Sequence, residues 1–211
     1  MNIIELNNVS KIYGNKIVLD KFSLQINEGD FIAIMGPSGS GKSTLLNIIG
    51  LLEKVDVGNV IIDGEINIHP NSSKSTRLLR EKIAYLFQNF ALVDEETVQY
   101  NLNLALKYVN GTKKDRFDRL KKALNFVGLE GYEKRRIYEL SGGEQQRVSI
   151  ARLILKPSKI ILADEPTGSL DEQNRDLILD YLEKLNSEGK TIVLVTHDYY
   201  VASKCRKVIN L

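Results

Sequence analysis

The chain divides into short apolar runs and longer stretches whose apolar positions recur every three or four residues. Residues 3–9, 21–26 and 60–68 alternate or cluster apolar positions in the manner of strands, with Asp63-Gly64 as a hairpin-type turn in the third. They predict a small antiparallel layer near the N-terminus. Phe31–Met35, residues 160–163 and Thr191–Val195 are near-continuous apolar runs. Parallel strands covered on both faces by helices have this composition. A last strand is predicted near residues 207–211.

Helical periodicity fills the gaps, at residues 42–52, 97–127, 144–155 and 174–187. Leu120, Leu124 and Val127 fall on one face with lysines and arginines opposite, and Gly128 supplies a stop. Pro157 ends the helix before it, and Gly189 lies just beyond the last one. The polar stretch 69–76, which contains Pro70, reads as a surface loop. Strands alternating with helices predict an α/β fold with a mostly parallel sheet. Residues 1–211 read as one domain, in which the helical stretch from about 90 to 155 makes its own lobe.

Composition narrows the function classes. Hydrophobic residues make up 43% and charged residues 27%, an ordinary globular balance. A net charge of +2 is too small to argue for a nucleic-acid partner, and none is expected. Cys205 is the single cysteine, which excludes an intrachain disulfide and a cysteine-based metal cluster. Residues 1–10 lack a signal-peptide pattern, and no apolar run approaches the ~20 residues that span a bilayer. A cytoplasmic chain is expected, reaching a membrane only through another protein.

The first chemistry-bearing string is Gly36-Pro37-Ser38-Gly39-Ser40-Gly41-Lys42-Ser43, followed by Thr44. It fits the phosphate-binding loop G-x-x-x-x-G-K-[ST], and it lies between a predicted strand and a predicted helix, as that loop requires. Gly39 and Gly41 let the backbone bend so that successive N–H groups face phosphate oxygens, and the helix N-terminus adds partial positive charge. Lys42 would bridge the β- and γ-phosphates of ATP, and the Ser43 hydroxyl would ligate Mg²⁺. A second string, residues 160–163 followed by Asp164-Glu165, is an apolar strand ending in two acids. Beside a phosphate loop, Asp164 suits the Mg²⁺ shell, and Glu165 suits the activation of water against the γ-phosphate.

Leu140-Ser141-Gly142-Gly143-Glu144-Gln145-Gln146-Arg147 resembles the LSGGQ signature of ABC (ATP-binding cassette) ATPases, with Glu144 in place of glutamine. Locally, Ser141 and Glu144 also spell a capping box, yet two glycines are a poor way merely to start a helix. In this family the motif faces the phosphate loop of a second subunit, so each ATP is sandwiched between two copies.

Other positions follow the family order over essentially the whole chain. Tyr13 resembles the aromatic that stacks on adenine, with Val18 beside it. Gln88 resembles the Q-loop glutamine, which senses Mg²⁺ and the attacking water and lies where the membrane partner docks. Asp171, in Ser169-Leu170-Asp171, resembles the D-loop acid, and His197 the switch histidine that contacts the γ-phosphate.

The resemblance implies a RecA-like P-loop NTPase core with an N-terminal antiparallel β subdomain and an inserted helical subdomain. It also implies ATP with Mg²⁺, an ATP-dependent homodimer, and a membrane-spanning permease that the cassette serves from the inner face of the cell membrane. The segment 87–98, with Asn101 beyond it, is similar to the group holding macrolide exporters and lipoprotein-release systems, and more narrowly to lactococcin-type bacteriocin exporters. Export of a peptide or other amphipathic substrate is one implied role. A mechanical regulator or an antimicrobial-peptide sensor with the same kind of membrane partner is another. A soluble P-loop kinase or GTPase has no use for residues 141–144.

Overall fold

A computed structural model describes residues 1–66 and 68–211. In chain order it runs β1 (Asn2–Tyr13), β2 (Lys16–Asn27), β3 (Phe31–Met35), α1 (Lys42–Ile49) and β4 (Val57–Ile62). Next come α2 (Ser73–Glu81), β5 (Ile83–Leu86), α3 (Val98–Leu106), α4 (Lys113–Phe126) and α5 (Gly142–Leu155). The chain closes with β6 (Ile160–Asp164), α6 (Glu172–Ser187), β7 (Thr191–Val195), α7 (Tyr199–Ser203) and β8 (Lys207–Asn210).

Two sheets organise these elements. The antiparallel layer has the order β2-β1-β4, and the parallel sheet has the order β5-β6-β7-β3-β8. Side chains on a strand alternate between faces, and here the alternation sorts two cores. Phe31, Ala33, Ile161, Ala163, Ile192 and Leu194 face α3 to α7. Ile32, Ile34, Ile160, Leu162, Val193 and Val195 face α1 and the antiparallel layer. Each fully buried leucine or isoleucine contributes about 1.5–3 kcal/mol against exposure. The unbroken apolar strands are therefore required by burial on both sides. Leu120, Leu124 and Val127 are all fully buried, as their spacing predicts.

Several predicted boundaries move. Residues 69–76 are not wholly loop: Ser72 accepts the Ser75 N–H at 3.1 Å and starts α2, whose Leu78 is buried. The polar composition that suggests a loop is also what an N-cap requires. The stretch 97–127 breaks into two helices, because Gly111 at φ 142° and a Thr112–Asp115 capping box restart the chain. In the stretch 60–68, β4 ends at Ile62. Asp63 (φ 48°) and Gly64 (φ 76°) make the expected tight turn, and Glu65 bridges back to Ile62. Position 67 of that predicted strand lies outside the described residues. The short elements β5 and α7 carry too few residues for a periodic signal. Among the described residues no helix is long and apolar enough to cross a membrane.

Candidate functional site

Ligands of parallel α/β sheets bind beyond the carboxyl ends of the strands. Here the β3–α1 loop, the end of β6 and the end of β7 converge on a cleft of 420 Å³. Tyr13, Val18, Ser38, Gly39, Gly41, Lys42, Ser43, Thr44 and Glu165 line it. Gly41 sits at φ 99°, and a Cβ there would meet Val18 Cγ1 at 2.7 Å, so both conformation and packing demand glycine. Gly36 is held as tightly, since a Cβ there would come within 2.6 Å of Ser40 Oγ.

Among the described residues α1 is the one α-helix without a side-chain cap at its N-terminus. Its first amides are left for an anion. Lys42 is buried and donates to the carbonyls of Gly36 and Pro37, both at 2.9 Å. Its third N–H remains for a further acceptor. Tyr13 stands half-exposed at the rim, with Lys11 Nζ 4.9 Å from its ring centroid. Lys11 is itself anchored by Glu53 at 2.6 Å.

The acids at the end of β6 are held differently. Ser43 Oγ donates to Asp164 Oδ1 at 3.3 Å. Burial pushes the Asp164 pKa up, the neighbouring Glu165 charge adds to this, and the Ser43 hydrogen bond and Lys42 oppose it. A hydroxyl and a carboxylate are the hard oxygen donors that Mg²⁺ takes. No cluster of three or more acidic, histidine or cysteine side chains occurs among the described residues. That donor set fits an ion whose remaining ligands are phosphates and water.

Glu165 turns away from the strand at φ 44°, a left-handed conformation costing roughly 1–2 kcal/mol for a non-glycine residue. Its N–H donates to Val195 O at 3.0 Å. Its carboxylate accepts from Thr196 Oγ1 at 3.2 Å through Oε2, while Oε1 lies 2.7 Å from His197 Nδ1. Gln88 belongs to the same corner. A Cβ on Gly168 would lie 3.6 Å from Glu165 Cβ and 3.7 Å from Gln88 Nε2.

None of Ser141, Gly142, Gly143 or Glu144 lines the cleft. Their capping box is fully formed: Ser141 N–H donates to Glu144 Oε2 at 2.8 Å, and Glu144 N–H donates to Ser141 Oγ at 3.3 Å. Tyr132 OH adds a bond to Glu144 Oε1 at 3.0 Å. These hydrogen bonds, led by the Ser141 N–H, hold the Glu144 pKa below its ordinary value.

The two glycines differ in their reasons. A Cβ on Gly143 would fall 2.5 Å from Asn174 Oδ1, whereas one on Gly142 would meet nothing. Asn174 is locked by Asp171, which caps α6 by accepting the Asn174 N–H at 2.9 Å, and by Arg147, which donates to Asn174 Oδ1 at 3.0 Å. The helix α5 reaches two further loops. Buried Gln146 donates to Pro166 O at 2.5 Å, beside Glu165. Ser149 and Arg152 donate to Phe90 O at 3.0 and 2.7 Å. Thr196, Asn174, Ser149 and Arg152 carry no local sequence signal, because their roles arise from contacts between distant elements, and the signature string containing Gln146 gives no sign of its bond to Pro166.

The geometry agrees with what known proteins share with this chain. A family profile described as ABC transporter matches residues 19–168. The macrolide export ATP-binding/permease protein MacB of Mannheimia succiniciproducens is 42% identical over 100% of the chain, and that of Escherichia coli is 43% identical over 99%. The chain spans about one third of the length of those relatives, 33% of each. Among solved structures, the dimeric structure of a bacterial ABC transporter cassette superimposes with a TM-score of 0.89 at 42% identity, covering 99% of this chain and 94% of that one. A post-hydrolysis state of such a cassette, dimeric and bound to ADP and Pi, gives a TM-score of 0.88 at 41% identity, with the same coverage. A P-loop fold, a phosphate cleft and a full-length match to transporter cassettes meet in one molecule: the chain belongs to the ABC transporter family and is its ATP-binding, ATP-hydrolysing cassette.

Proposed function

We propose that two copies of this chain close around two Mg-ATP and drive a membrane-spanning permease that exports a peptide, bacteriocin or other amphipathic substrate. The observation that carries the reading is the signature tip. Its glycine-lined helix N-terminus has the form of an anion site, Gly142 has open space above it, and the tip lies outside the cleft of its own chain. A second copy supplies the missing phosphate.

In this reading the phosphate loop residues Gly36, Ser38, Gly39, Ser40, Gly41, Lys42 and Thr44 cradle the β- and γ-phosphates. Tyr13 and Val18 take the adenine. Ser43 and Asp164, with Gln88, would hold Mg²⁺, which when bound neutralises the charge on the phosphate oxygens. Glu165 accepts a proton from water as the water oxygen bonds to the γ-phosphorus and the bond to the β,γ-bridging oxygen breaks, releasing ADP and phosphate. Each Glu165 oxygen keeps a lone pair beyond its bond to Thr196 or His197. His197, with its side chain 72% exposed, is free to face the γ-phosphate. Asp171 and residues 141–144 complete the site of the opposite copy.

The chain works at the inner face of the membrane, with the permease docking beside Gln88. Export is supported by the full-chain similarity to macrolide exporters.

The test is Glu165→Gln, which keeps shape and removes the base. With ATP and Mg²⁺ it elutes as a dimer in size exclusion and turns ATP over at least ~100-fold more slowly than the native chain. A variant that stays monomeric at high protein concentration with saturating ATP removes the sandwich.

A further inference from the structure

The Glu144 carboxylate has more partners than its cap requires. A capping box needs the acid only to reach back to the N-cap residue. Glu144 Oε2 meets that need alone, accepting the Ser141 N–H at 2.8 Å and the Ser141 hydroxyl at 2.9 Å. Oε1 takes no part in the cap, and the Tyr132 hydroxyl donates to it at 3.0 Å. Three of the roughly four acceptor positions of the carboxylate are thus filled.

Tyr132 is held in place independently of Glu144. It follows Gly131, which turns the chain at φ 82°. The Tyr132 N–H donates to Leu129 O at 3.2 Å, and Tyr132 O accepts the Arg135 N–H at 3.0 Å. The ring packs partly against the core, and the Arg135 guanidinium covers it at 3.9 Å from the centroid. Among the described residues Arg135 forms no ion pair. The loop is tied in turn to the start of α3, where the Gln99 N–H donates to Glu133 O and the Val98 N–H to Arg135 O, both at 2.9 Å. A phenol fixed in this way sets where the carboxylate rests.

The first amides of α5, those of Gly142 and Gly143, have no intrahelical acceptor. The Glu144 N–H is already taken by Ser141 Oγ. A carboxylate in the first turn of a helix is drawn to the same positive end that binds a phosphate. Left to swing, Glu144 would compete with that phosphate and repel it. We propose that Tyr132 is a positioning residue for the signature tip. Its hydroxyl holds the Glu144 carboxylate back against the cap, so that the Gly142 and Gly143 amides stay open to a triphosphate. The proposal rests on the reading of the chain as a cassette that dimerises around ATP, and it adds to that site a residue outside the signature string.

The test follows dimerisation by size exclusion over a range of ATP concentrations with Mg²⁺, in the Glu165→Gln background that slows turnover. Tyr132→Phe removes only the hydroxyl. It should raise the ATP concentration for half-dimerisation about threefold, the order of one charge-assisted hydrogen bond at a half-exposed site. With Glu144→Gln added, the same substitution should change that concentration by less than about 1.5-fold, since no charge is left to hold. In the chain that retains Glu165, Tyr132→Phe should raise the ATP concentration for half-maximal turnover while kcat changes by less than about twofold.

An ATP requirement that Tyr132→Phe leaves unchanged, or lowers, overturns the proposal. So does an equal rise with glutamate and with glutamine at position 144, because a role confined to the fold does not depend on that charge. A Glu165→Gln chain that stays monomeric at saturating ATP sinks the dimer reading beneath it. One that dimerises with indifference to Tyr132 sinks this proposal alone.

Discussion

Glu165 and His197 meet at 2.7 Å, Oε1 to Nδ1, although 32 residues separate them in the chain. The contact depends on β6 and β7 being neighbours in the sheet, which brings the residues just beyond their ends together. With Nδ1 engaged by the Glu165 carboxylate, the far side of the largely exposed ring is left for solvent or a ligand. Glu165 is thereby fixed by three partners, Val195, Thr196 and His197, while its backbone stays in a left-handed conformation.

His197→Ala removes one of those partners and, in the proposed mechanism, the group that faces the γ-phosphate. Turnover measured as phosphate release should fall at least ~100-fold, a loss typical of removing a positioned polar group. Binding of a fluorescent ATP analogue to the monomer should change less than ~3-fold, because no part of the phosphate loop is touched. A variant that hydrolyses at native speed would show that the contact is only structural.

The paired glycines of the signature make opposite predictions. Gly143→Ala places a Cβ 2.5 Å from an Asn174 side chain that Asp171 and Arg147 hold in place. Overpacking of this kind costs about 1–3 kcal/mol, which thermal melts should show as a lower Tm of the nucleotide-free chain. Gly142→Ala meets open space, so Tm should hold or rise slightly. Its turnover should nonetheless fall if, as proposed, the added methyl projects toward the phosphate of an opposing copy. Native turnover in Gly142→Ala would argue against a second copy at that face.

What could be read from sequence and what could not divide along physical lines. The phosphate loop is legible because its function is local: eight consecutive residues set their own backbone and the start of α1. The signature is legible for the same reason, as a capping box with misplaced glycines. The ties between sites are not. Gln146 reaches Pro166, and Arg152 reaches Phe90, across 20 and 62 residues, and nothing in either neighbourhood marks the partner. Most of the stretches 97–127 and 144–155 read correctly as helical, while the break before Thr112 depends on a cap inside an otherwise continuous pattern. Ser72 was hidden by the same ambiguity, since caps and loops draw on one set of residues.

Asp164 should expose a conflict between stability and chemistry. Burial raises its pKa, so folding carries a penalty for the ionised carboxylate. The penalty is absent below the ordinary carboxylate range and fully present once pH exceeds the raised folded value. At neutral pH Asp164→Asn should therefore raise Tm in thermal melts while lowering Mg²⁺-dependent turnover at least ~100-fold. A lower Tm would mean that the Ser43 hydrogen bond outweighs desolvation.

Glu144 is the position where this chain departs from the usual signature glutamine, and its charge acts in two directions. Inside the monomer it completes the capping box and sits in the first turn of α5, where an anion is favoured. Hydrogen bonds from Ser141 and Tyr132 lower its folded pKa. Its contribution is thus full above the ordinary glutamate value, near 4.5, and disappears as pH falls through the depressed folded value. Melts of Glu144→Gln against the native chain should differ by ~0.5 kcal/mol or less near pH 7, since the group is exposed enough to be screened. That gap should close on acidification. In the proposed dimer the same carboxylate faces a triphosphate. Introducing Glu144→Gln into the Glu165→Gln background should therefore lower the ATP concentration needed for dimerisation by about fivefold, the effect of removing ~1 kcal/mol of repulsion between unit charges a few ångström apart in water. The two readouts have opposite signs, so a change that weakened both the monomer and the dimer would identify Glu144 as a fold residue alone.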